Sequence, residues 1–367
     1  MKRIFGILTL AVVAAQTHGQ TVIGGATGPG GLVPTLVSLD LKDAPPAEAL
    51  AALNRAAGTT LSFKDPAPTQ HVTLHADKRP LVEVLLQLRQ QMNLGTPSNQ
   101  TADAQVLGGY PVADEVGTWC VSGPFGFVVN GVGHQLTLED PGKIISESFG
   151  LRVQILAEPN VHILGMPQGF VVSEAVDDKG QSLLDDHAPV LKEGFSTYPN
   201  PVLTLPLKHP AEAGRRIAVV KAKASVLAML KSETVTIKDP VHAEAVTRTA
   251  GACKFTLGPL APAARGYELK VTMESQGAMK DEDWKNLQTA MKRVSGSAAL
   301  GGTNPRKVTA GPGTVSGAGA QVVVTYTFST SAPRGQTSVE ITDLTMELPA
   351  DVRAADVPLE FHDLPLP

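Results

Sequence analysis

The pattern of apolar and polar positions between residues 37 and 93 occurs twice. In each copy apolar residues first alternate with polar ones, the period of a strand, and then recur every three or four positions, the period of a helix. A proline stands before each helical run, where the first turn of a helix tolerates it. Corresponding positions lie 35 residues apart: Val37, Leu39, Pro45, Glu48, Leu50 and Leu53 match Val72, Leu74, Pro80, Glu83, Leu85 and Leu88. We therefore predict two strand–turn–helix units whose helices cover one side of a small sheet.

This doubled pattern resembles the short N-terminal domain of secretins and TonB-dependent receptors, the STN domain. The resemblance is carried by residues 37–45 with 48–50, and by residues 71–74 with 80–86. It implies an α+β module of order β-α-β-β-α-β over residues 36–112. In that family a strand follows the second helix. Residues 96–104 are polar and turn-like, so this strand is expected at about 105–112 or is missing.

Past residue 112 short apolar segments alternate with Gly, Pro, Asn and Asp, and the chain holds 35 Gly and 28 Pro. Many short strands with few helices predict mainly antiparallel β-sandwich domains rather than a parallel α/β core. Residues 216–220, 232–237, 338–348 and 357–361 are among the predicted strands. A turn at residues 238–240 suggests a division into one sandwich over 113–240 and a second over 241–367.

One segment of the second predicted sandwich departs from the strand pattern. Trp284, Leu287, Met291 and Val294 have helical spacing, and Asp281 can cap the start, so residues 281–294 are predicted to form a helix. The next segment, 295–320, is rich in Gly, Ser and Pro and is predicted to be a flexible loop.

The remainder of the chain resembles uncharacterised exported β-rich proteins of planctomycete-type bacteria. The resemblance lies in residues 122–125, 177–183 and 357–367. It implies no activity.

The N-terminus has the layout of a secretory signal peptide. Lys2 and Arg3 precede an apolar run over residues 4–15, and small residues that suit cleavage follow. We predict a signal peptide over residues 1–19, a Gly-rich linker over 20–35, and export to the periplasm or the outside of the cell. The apolar run is too short to span a bilayer, so no transmembrane segment is expected in the mature chain.

Composition argues against two classes of partner. The net charge of −4 and the pI of about 6.1 provide no large basic field for nucleic acid or anionic membranes. Aromatic residues make up only 4% of the chain, which argues against stacking platforms for bases or sugars. We predict no cofactor.

Two cysteines occur in the predicted mature chain, Cys120 and Cys253. Export makes a disulfide between them chemically allowed. Both also stand in strand-like contexts that would suit two separately buried thiols. The sequence leaves both readings open.

The side chains that could act in catalysis or bind a metal do not form a recognisable catalytic motif. The densest acidic cluster comprises Asp177, Asp178, Asp185 and Asp186, which could form a Ca²⁺ loop or a carboxylate pair, although its spacing fits no EF-hand loop. A solvated hairpin loop is the competing interpretation. His71 and His75 are four apart but lie on a predicted strand, which separates them by about 13 Å. We predict no metal site and no enzymatic activity.

Three functions are therefore considered. The resemblance implies protein–protein contact, since STN domains in receptors meet signalling partners and in secretins help to join the membrane machineries. The favoured function is a non-enzymatic envelope protein that binds a protein partner by strand addition at a sheet edge. The candidate edge residues are Val37, Leu39, Leu41, Val72 and Leu74. The alternatives are a Ca²⁺-dependent glycan-binding protein or hydrolase using residues 177–187, and a purely structural periplasmic spacer.

Overall fold

A computed structural model describes most of the chain. The described residues are 21–23, 28–63, 68–94, 106–107, 118–140, 143–185, 202–209, 212, 214–264, 266–277, 279–294, 296–301, 306–329 and 341–366. The predicted signal peptide over residues 1–19 lies outside them, as does Asp186.

The first elements include the doubled unit, which we call the N-terminal module (residues 36–107). Two units of strand, helix and strand follow each other in it, and the last strand lies at Val106–Leu107, inside the range 105–112 expected from the sequence. The elements are β1 (Thr21–Ile23), a 3₁₀ helix (Pro29–Gly31), β2 (Leu36–Ala44), α1 (Pro46–Ala57), β3 (Ser62–Phe63), β4 (Val72–Pro80), α2 (Leu81–Gln91) and β5 (Val106–Leu107). Strands β2 and β4 pair antiparallel, and β3 and β5 pair in parallel.

The rest of the chain is β-rich, as the sequence predicted, and its sheets are mostly antiparallel. The next strands are β6 (Trp119–Ser122), β7 (Phe125–Asp140), β8 (Lys143–Ala157), β9 (His162–Gly165), β10 (Phe170–Asp177), β11 (Val202–Leu207) and β12 (Arg216–Lys238). The last elements are β13 (Val246–Ala250), β14 (Cys253–Leu257), β15 (Ala261–Ala263), β16 (Gly266–Ser275), α3 (Asp281–Met291), β17 (Gly296–Leu300), β18 (Arg306–Thr309), β19 (Thr314–Ala318), β20 (Gln321–Ser329) and β21 (Ile341–Pro365).

These strands form three larger sheets. Sheet I has the order β1-β6-β7-β8-β11, and its strand β1 is parallel to β6. Sheet II has the order β10-β12-β21-β17-β18, with β9 also paired to β12. Sheet III has the order β13-β14-β16-β20-β19, with β15 beside β16.

Sheet II is shared by two hydrophobic cores. Strands β12 and β21 pair from Arg216 opposite Pro365 to Lys238 opposite Asp343. One half of this ribbon packs against sheet I in a first core, and the other half packs against sheet III and α3 in a second core. Register shifts at Met229, Lys231 and Ser232 lie where the ribbon passes between the cores. The end of β12 lies close to the predicted division near residue 240, but the C-terminal half of β21 returns to the first core.

The segment predicted as a Gly-rich linker is instead part of the structure. Residues 21–23 form an edge strand of sheet I, and Leu32 is buried in the first core. A Cβ added at Gly30, whose φ is 63°, would lie 2.7 Å from the Cβ of Ala355. The 20–35 linker prediction is therefore wrong for the described residues: glycine permits a positive φ and a close approach to β21 here.

The segment predicted as a flexible loop, 295–320, contains the three strands β17, β18 and β19. Two of its glycines, Gly296 and Gly313, are positions of tight packing. A Cβ at Gly296 would lie 2.3 Å from the sulfur of Met346, and one at Gly313 would lie 2.6 Å from Val324 Cγ1. The predicted helix 281–294 is present but ends at Met291.

Candidate functional site

The repeat in the sequence is also a repeat in backbone conformation. Asp43 and Lys78, which are 35 positions apart, both have positive φ, at 51° and 48°. Each is followed two residues later by an extended proline, Pro45 or Pro80, that stands directly before a helix. Helix α1 ends at Gly58 in the left-handed conformation, which glycine adopts without strain. The two units therefore turn from strand to helix in the same way.

The five candidate edge residues have buried side chains. Val37, Leu39, Leu41, Val72 and Leu74 all belong to the core of the N-terminal module. Their side chains contact the module's own helices and neighbouring strand residues rather than solvent. A partner at this sheet would therefore meet the backbone edge and the residues of the opposite, outward face.

The outward face of β2 and β4 is polar and internally paired. Asp40 Oδ1 lies 3.5 Å from His75 Nδ1, and Asp43 Oδ1 lies 3.1 Å from His71 Nδ1. Ser38 accepts a hydrogen bond from the Lys78 amide at 3.0 Å. Each histidine has its own carboxylate, so His71 and His75 do not converge on a shared ligand.

The outer edge of β4 is occupied by a side chain. The Thr73 amide donates to Gln91 Oε1 at 3.0 Å, and Gln91 Nε2 donates to the Thr73 carbonyl oxygen at 3.0 Å. In an antiparallel ladder the N–H and C=O of one residue point to the same side. Because both groups of Thr73 bond to Gln91, they point away from β2. Gln91 thus substitutes for a neighbouring strand at this position.

The outer edge of β2 has no such cover within the described residues, where β2 pairs with β4 alone. Two apolar side chains stand at its beginning: Val33 is 64% exposed and Leu36 is 45% exposed. An edge strand with an exposed apolar side chain is the kind of surface on which another strand assembles. Sequence reasoning had no means of telling this edge from that of β4, because Gln91 reaches Thr73 only in the folded module.

No protein-family model, curated protein or solved structure matches the chain. The resemblance of residues 37–86 to the STN domain therefore stays a prediction.

Helix α2 also fixes the module to the first sandwich. Val82 and Leu86 on α2 form a small apolar cluster with Trp119, Val121 and Leu156 on the outward face of sheet I. Gly126 on β7 makes room for this contact. A Cβ added there would lie 2.9 Å from Leu86 Cδ1 and 3.0 Å from Val82 Cγ2.

A buried carboxylate joins the two bodies at the start of α2. Glu158, which follows β8, is 2% exposed and accepts the Thr35 amide on both oxygens, at 3.1 and 2.9 Å. The amide of Leu81, the first residue of α2, donates to the Thr35 carbonyl oxygen at 2.8 Å. The first N–H groups of a helix lack partners within the helix, and a carboxylate there also favours the helix dipole. Glu158 therefore fixes Thr35 from the neighbouring sandwich, and Thr35 in turn accepts the first amide of α2.

Burial raises the pKa of Glu158 to about 6, although the hydrogen bonds from the Thr35 amide and the nearby amides of Val82 and Leu81 act to lower it. Burial also raises the pKa of Glu83 on α2, which the nearby charge of Arg79 acts to lower. Glu83 is 4% exposed, and its Oε2 has no hydrogen-bond partner. Glu158 and Glu83 are thus two carboxyl groups whose charged forms are disfavoured by burial.

The stability of this junction is expected to fall as pH rises. Because the folded pKa of Glu158 is above its ordinary value of 4.5, its contribution is fully present below 4.5 and is lost as pH rises through about 6. The loss is on the order of 2 kcal/mol for a shift of this size. Urea unfolding followed by Trp119 fluorescence in a Trp284→Phe background would measure it between pH 4.5 and 8. Glu158→Gln should flatten the pH dependence, and an unchanged slope would contradict the assignment.

Asp177 and Asp178, two members of the acidic cluster predicted as a weak metal site, lie in a hydrogen-bonded loop. Asp177 is 2% exposed, and its carboxylate accepts the amides of Lys179, Gln181 and Gly214 at 2.9, 2.7 and 2.9 Å. Asp178 accepts the Arg215 amide at 3.0 Å. Burial acts to raise the pKa of Asp177, but the bonds from these amides and the charge of Lys179 outweigh it and hold that pKa below its ordinary value. Both Asp177 oxygens and Asp178 Oδ1, which a cation would need as ligands, already accept backbone N–H groups.

Calcium is therefore expected to leave the melting temperature unchanged. A ligand that binds only the folded state must raise its stability, so melting curves with Ca²⁺ and with EDTA should coincide. Asp177→Asn should lower the melting temperature in both, because it weakens the bonds that hold residues 179, 181 and 214 together. Asp178→Asn, which affects one amide, is the matched control with a smaller effect. A calcium-dependent rise in the parent protein would restore the ion-binding hypothesis.

The two cysteines are free and buried, one in each core. Burial raises the pKa of both thiols to about 12, so neither is a thiolate at neutral pH. Of the two readings left open by the sequence, the structure has the separately buried thiols rather than the disulfide between Cys120 and Cys253.

A stacked pair of histidines was not predicted. The rings of His134 and His209 are 4.7 Å apart and inclined by 4°, and both meet the edge or face of Phe149. Their positions, 75 residues apart, give no sequence signal. A metal ion lies in the plane of each ligating imidazole, and two stacked parallel planes do not meet at one ion. The stack is best understood as packing at the margin of the first core.

Two further findings concern the described residues as a whole. They contain no group of three or more His, Cys, Asp or Glu side chains that could hold a metal ion. Among the helices in the described ranges, none combines the length and the apolar character that crossing a membrane requires.

Proposed function

We propose that this chain is an exported, non-enzymatic envelope protein whose N-terminal module binds a protein partner at a sheet edge. The observation that carries the proposal is the two-stranded β2–β4 sheet, which leaves the outer edge of β2 without a strand in the described part of the chain. Unpaired backbone N–H and C=O groups at an edge recognise another extended chain. The signal peptide predicted over residues 1–19 supports an envelope location.

The docking of the module supports the same function. Helix α2 and Glu158 hold the module on sheet I by the face opposite its polar β2–β4 surface. The sandwiches thus act as a support that presents the strand edge outward. The exposed Leu36 and Val33 extend the candidate surface beyond the ladder itself.

A photo-crosslinking experiment tests this proposal. A photoreactive residue replaces Leu36 or Lys42, both exposed on β2, in the cells that produce and export the protein. The matched control replaces Lys270, an exposed residue of β16 on sheet III. We expect one defined protein adduct from the module positions and none from Lys270. Absence of an adduct at both module positions would contradict partner binding by the module.

The shared ribbon favours a second candidate function, a structural spacer. Strands β12 and β21 continue through both cores, so the two sandwiches cannot bend against each other without breaking ladder hydrogen bonds. A rigid body of this kind would set the distance between the module and whatever holds the other end. Independent unfolding of the two cores would argue against it.

A further inference from the structure

This inference rests on the proposed function and concerns which edge accepts the partner and what kind of segment fits. The choice lies between the outer edge of β4 and the outer edge of β2. The two edges differ at Thr73 of β4, because its N–H and C=O are both hydrogen-bonded to the Gln91 side-chain amide. A strand approaching β4 would have to displace Gln91 and break both of these hydrogen bonds, which lie at an exposed position, before it could pair with Thr73.

The direction of the β2 backbone follows from the same contact. Residues 74, 75 and 76 pair in regular order with 41, 40 and 39. Since Thr73 points its backbone groups away from β2, His75, two residues later, does the same. Asp40 lies directly opposite His75, so its N–H and C=O point away from β4 and toward the outer edge of β2. Asp40 therefore offers a donor and an acceptor to a new strand.

The side chains beside this edge define the segment that fits. Leu36, Ser38, Asp40 and Lys42 lie on the outward face of β2, and all four are exposed. Leu36 and the neighbouring Val33 favour an apolar side chain on an added strand. Asp40 favours a basic side chain directly opposite it, since opposite charges in facing positions stabilise a sheet. Register shifts on both sides of residues 39–41 limit the new ladder to a short stretch.

We propose that an extended segment of a partner protein adds to the outer edge of β2, not to β4. Its backbone bonds to Asp40, an apolar side chain covers Leu36, and a basic side chain faces Asp40. Gln91 blocks the β4 edge, because it already occupies the backbone groups of Thr73 to which the same segment would bind.

Amide hydrogen exchange in the isolated protein tests the state of both edges without a partner. The Thr73 amide should exchange about tenfold or more slowly than the Asp40 amide, because within the described ranges Thr73 has an acceptor in Gln91 and the outward Asp40 amide has none. Gln91→Ala should bring Thr73 exchange up to the rate of Asp40, whereas Gln90→Ala, at the neighbouring exposed position, should not. Equal protection of Asp40 and Thr73 in the parent protein would mean that β2 is covered, and the inference would be wrong.

Proline substitution then tests the partner's choice of edge in the crosslinking experiment. Asp40→Pro removes an outward N–H while leaving the ladder between β2 and β4 intact, and His75→Pro does the same on β4. Asp40→Pro should reduce the adduct formed from residue 42 by about tenfold or more, the size expected for one lost backbone bond and one lost charge pair. His75→Pro should leave it unchanged. Asp40→Ala, which keeps the N–H, should have an intermediate effect.

The outcomes separate this inference from the proposed function. Loss of the adduct in His75→Pro, with or without loss in Asp40→Pro, would overturn the choice of β2 while leaving partner binding by the module in place. An adduct that survives Asp40→Pro would do the same. Absence of any adduct in the parent protein would remove the proposed function itself. Trp119 fluorescence of each variant verifies that the module remains docked.

Discussion

Replacing Phe127 by alanine is expected to destabilise both sandwiches in one step, although Phe127 belongs only to the first core. Its side chain is fully buried, and removing a buried phenylalanine costs about 3–5 kcal/mol. The loss of stability is expected to extend to the second core, because β12 and β21 form one continuous ladder whose side chains belong to both cores. Urea unfolding should therefore show one transition at a lower midpoint, whichever core is observed.

The two tryptophans of the chain make this measurement possible. Trp119 lies on β6 of sheet I at the junction with α2, and Trp284 lies on α3 against the second core. Trp284→Phe leaves a reporter for the first sandwich, and Trp119→Phe leaves one for the second. Phe255→Ala, at a fully buried position of the second core, is the reciprocal variant. If Phe127→Ala moved the Trp119 transition while the Trp284 transition stayed in place, the ribbon would not couple the cores and the spacer function would lose its support.

Features that depend on interactions between residues close in sequence were predicted, and features that depend on residues far apart in sequence were missed. The helices and strands of the N-terminal module were predicted because apolar positions recur with a regular period within each of them. The same pattern of apolar and polar residues is also repeated 35 positions later. Local periodicity of this kind needs no knowledge of the tertiary contacts. The antiparallel, β-rich character of the remainder was predicted for the same reason.

The long strands of the ribbon were predicted in pieces. Residues 216–220 and 232–237 belong to the single strand β12, and residues 341–348 and 357–361 belong to β21. The pattern is interrupted where the ribbon leaves one core and enters the other: residues 231–234 are exposed, and the register shifts at Met229 and Lys231 change the alternation. Continuity there depends on pairing between residues more than 100 positions apart, which local pattern does not report.

The glycine-rich segments were misread because composition does not distinguish flexibility from close packing. Gly30 and Gly296 both lie against neighbours that a Cβ would strike, Ala355 in one case and Met346 in the other. The features of the candidate site were invisible for a related reason. Gln91 reaches Thr73 across 18 residues and Glu158 reaches Thr35 across 123. Both are contacts between a side chain and a backbone amide, and such contacts leave no residue pattern in the sequence.

Gly126→Val is expected to expel α2 from sheet I and to release the module from its support. The added Cβ would stand 2.9 Å from Leu86 Cδ1 and 3.0 Å from Val82 Cγ2. Both distances are too short for carbon atoms, and the two side chains cannot both move away because they are packed in the same cluster. Inserting bulk into a filled contact costs about 1–3 kcal/mol. Valine is favoured over glycine in strands, so the intrinsic propensity acts against this loss and cannot explain it. In a Trp284→Phe background the emission of Trp119 should shift to longer wavelength as α2 leaves it.

Two companion variants separate steric conflict from a general weakening of β7. Gly133 lies on the same strand, and a Cβ there would meet only the Gly150 carbonyl oxygen at 3.9 Å, an ordinary contact. Gly133→Val should therefore leave Trp119 emission unchanged. Leu86→Ala combined with Gly126→Val removes the nearer of the two obstructing side chains and should recover part of the docking, as a double-mutant cycle would show. Unchanged emission in Gly126→Val alone would mean that the docking of α2 does not depend on the space left by Gly126. Glu158 would then hold the module without help from the apolar contact.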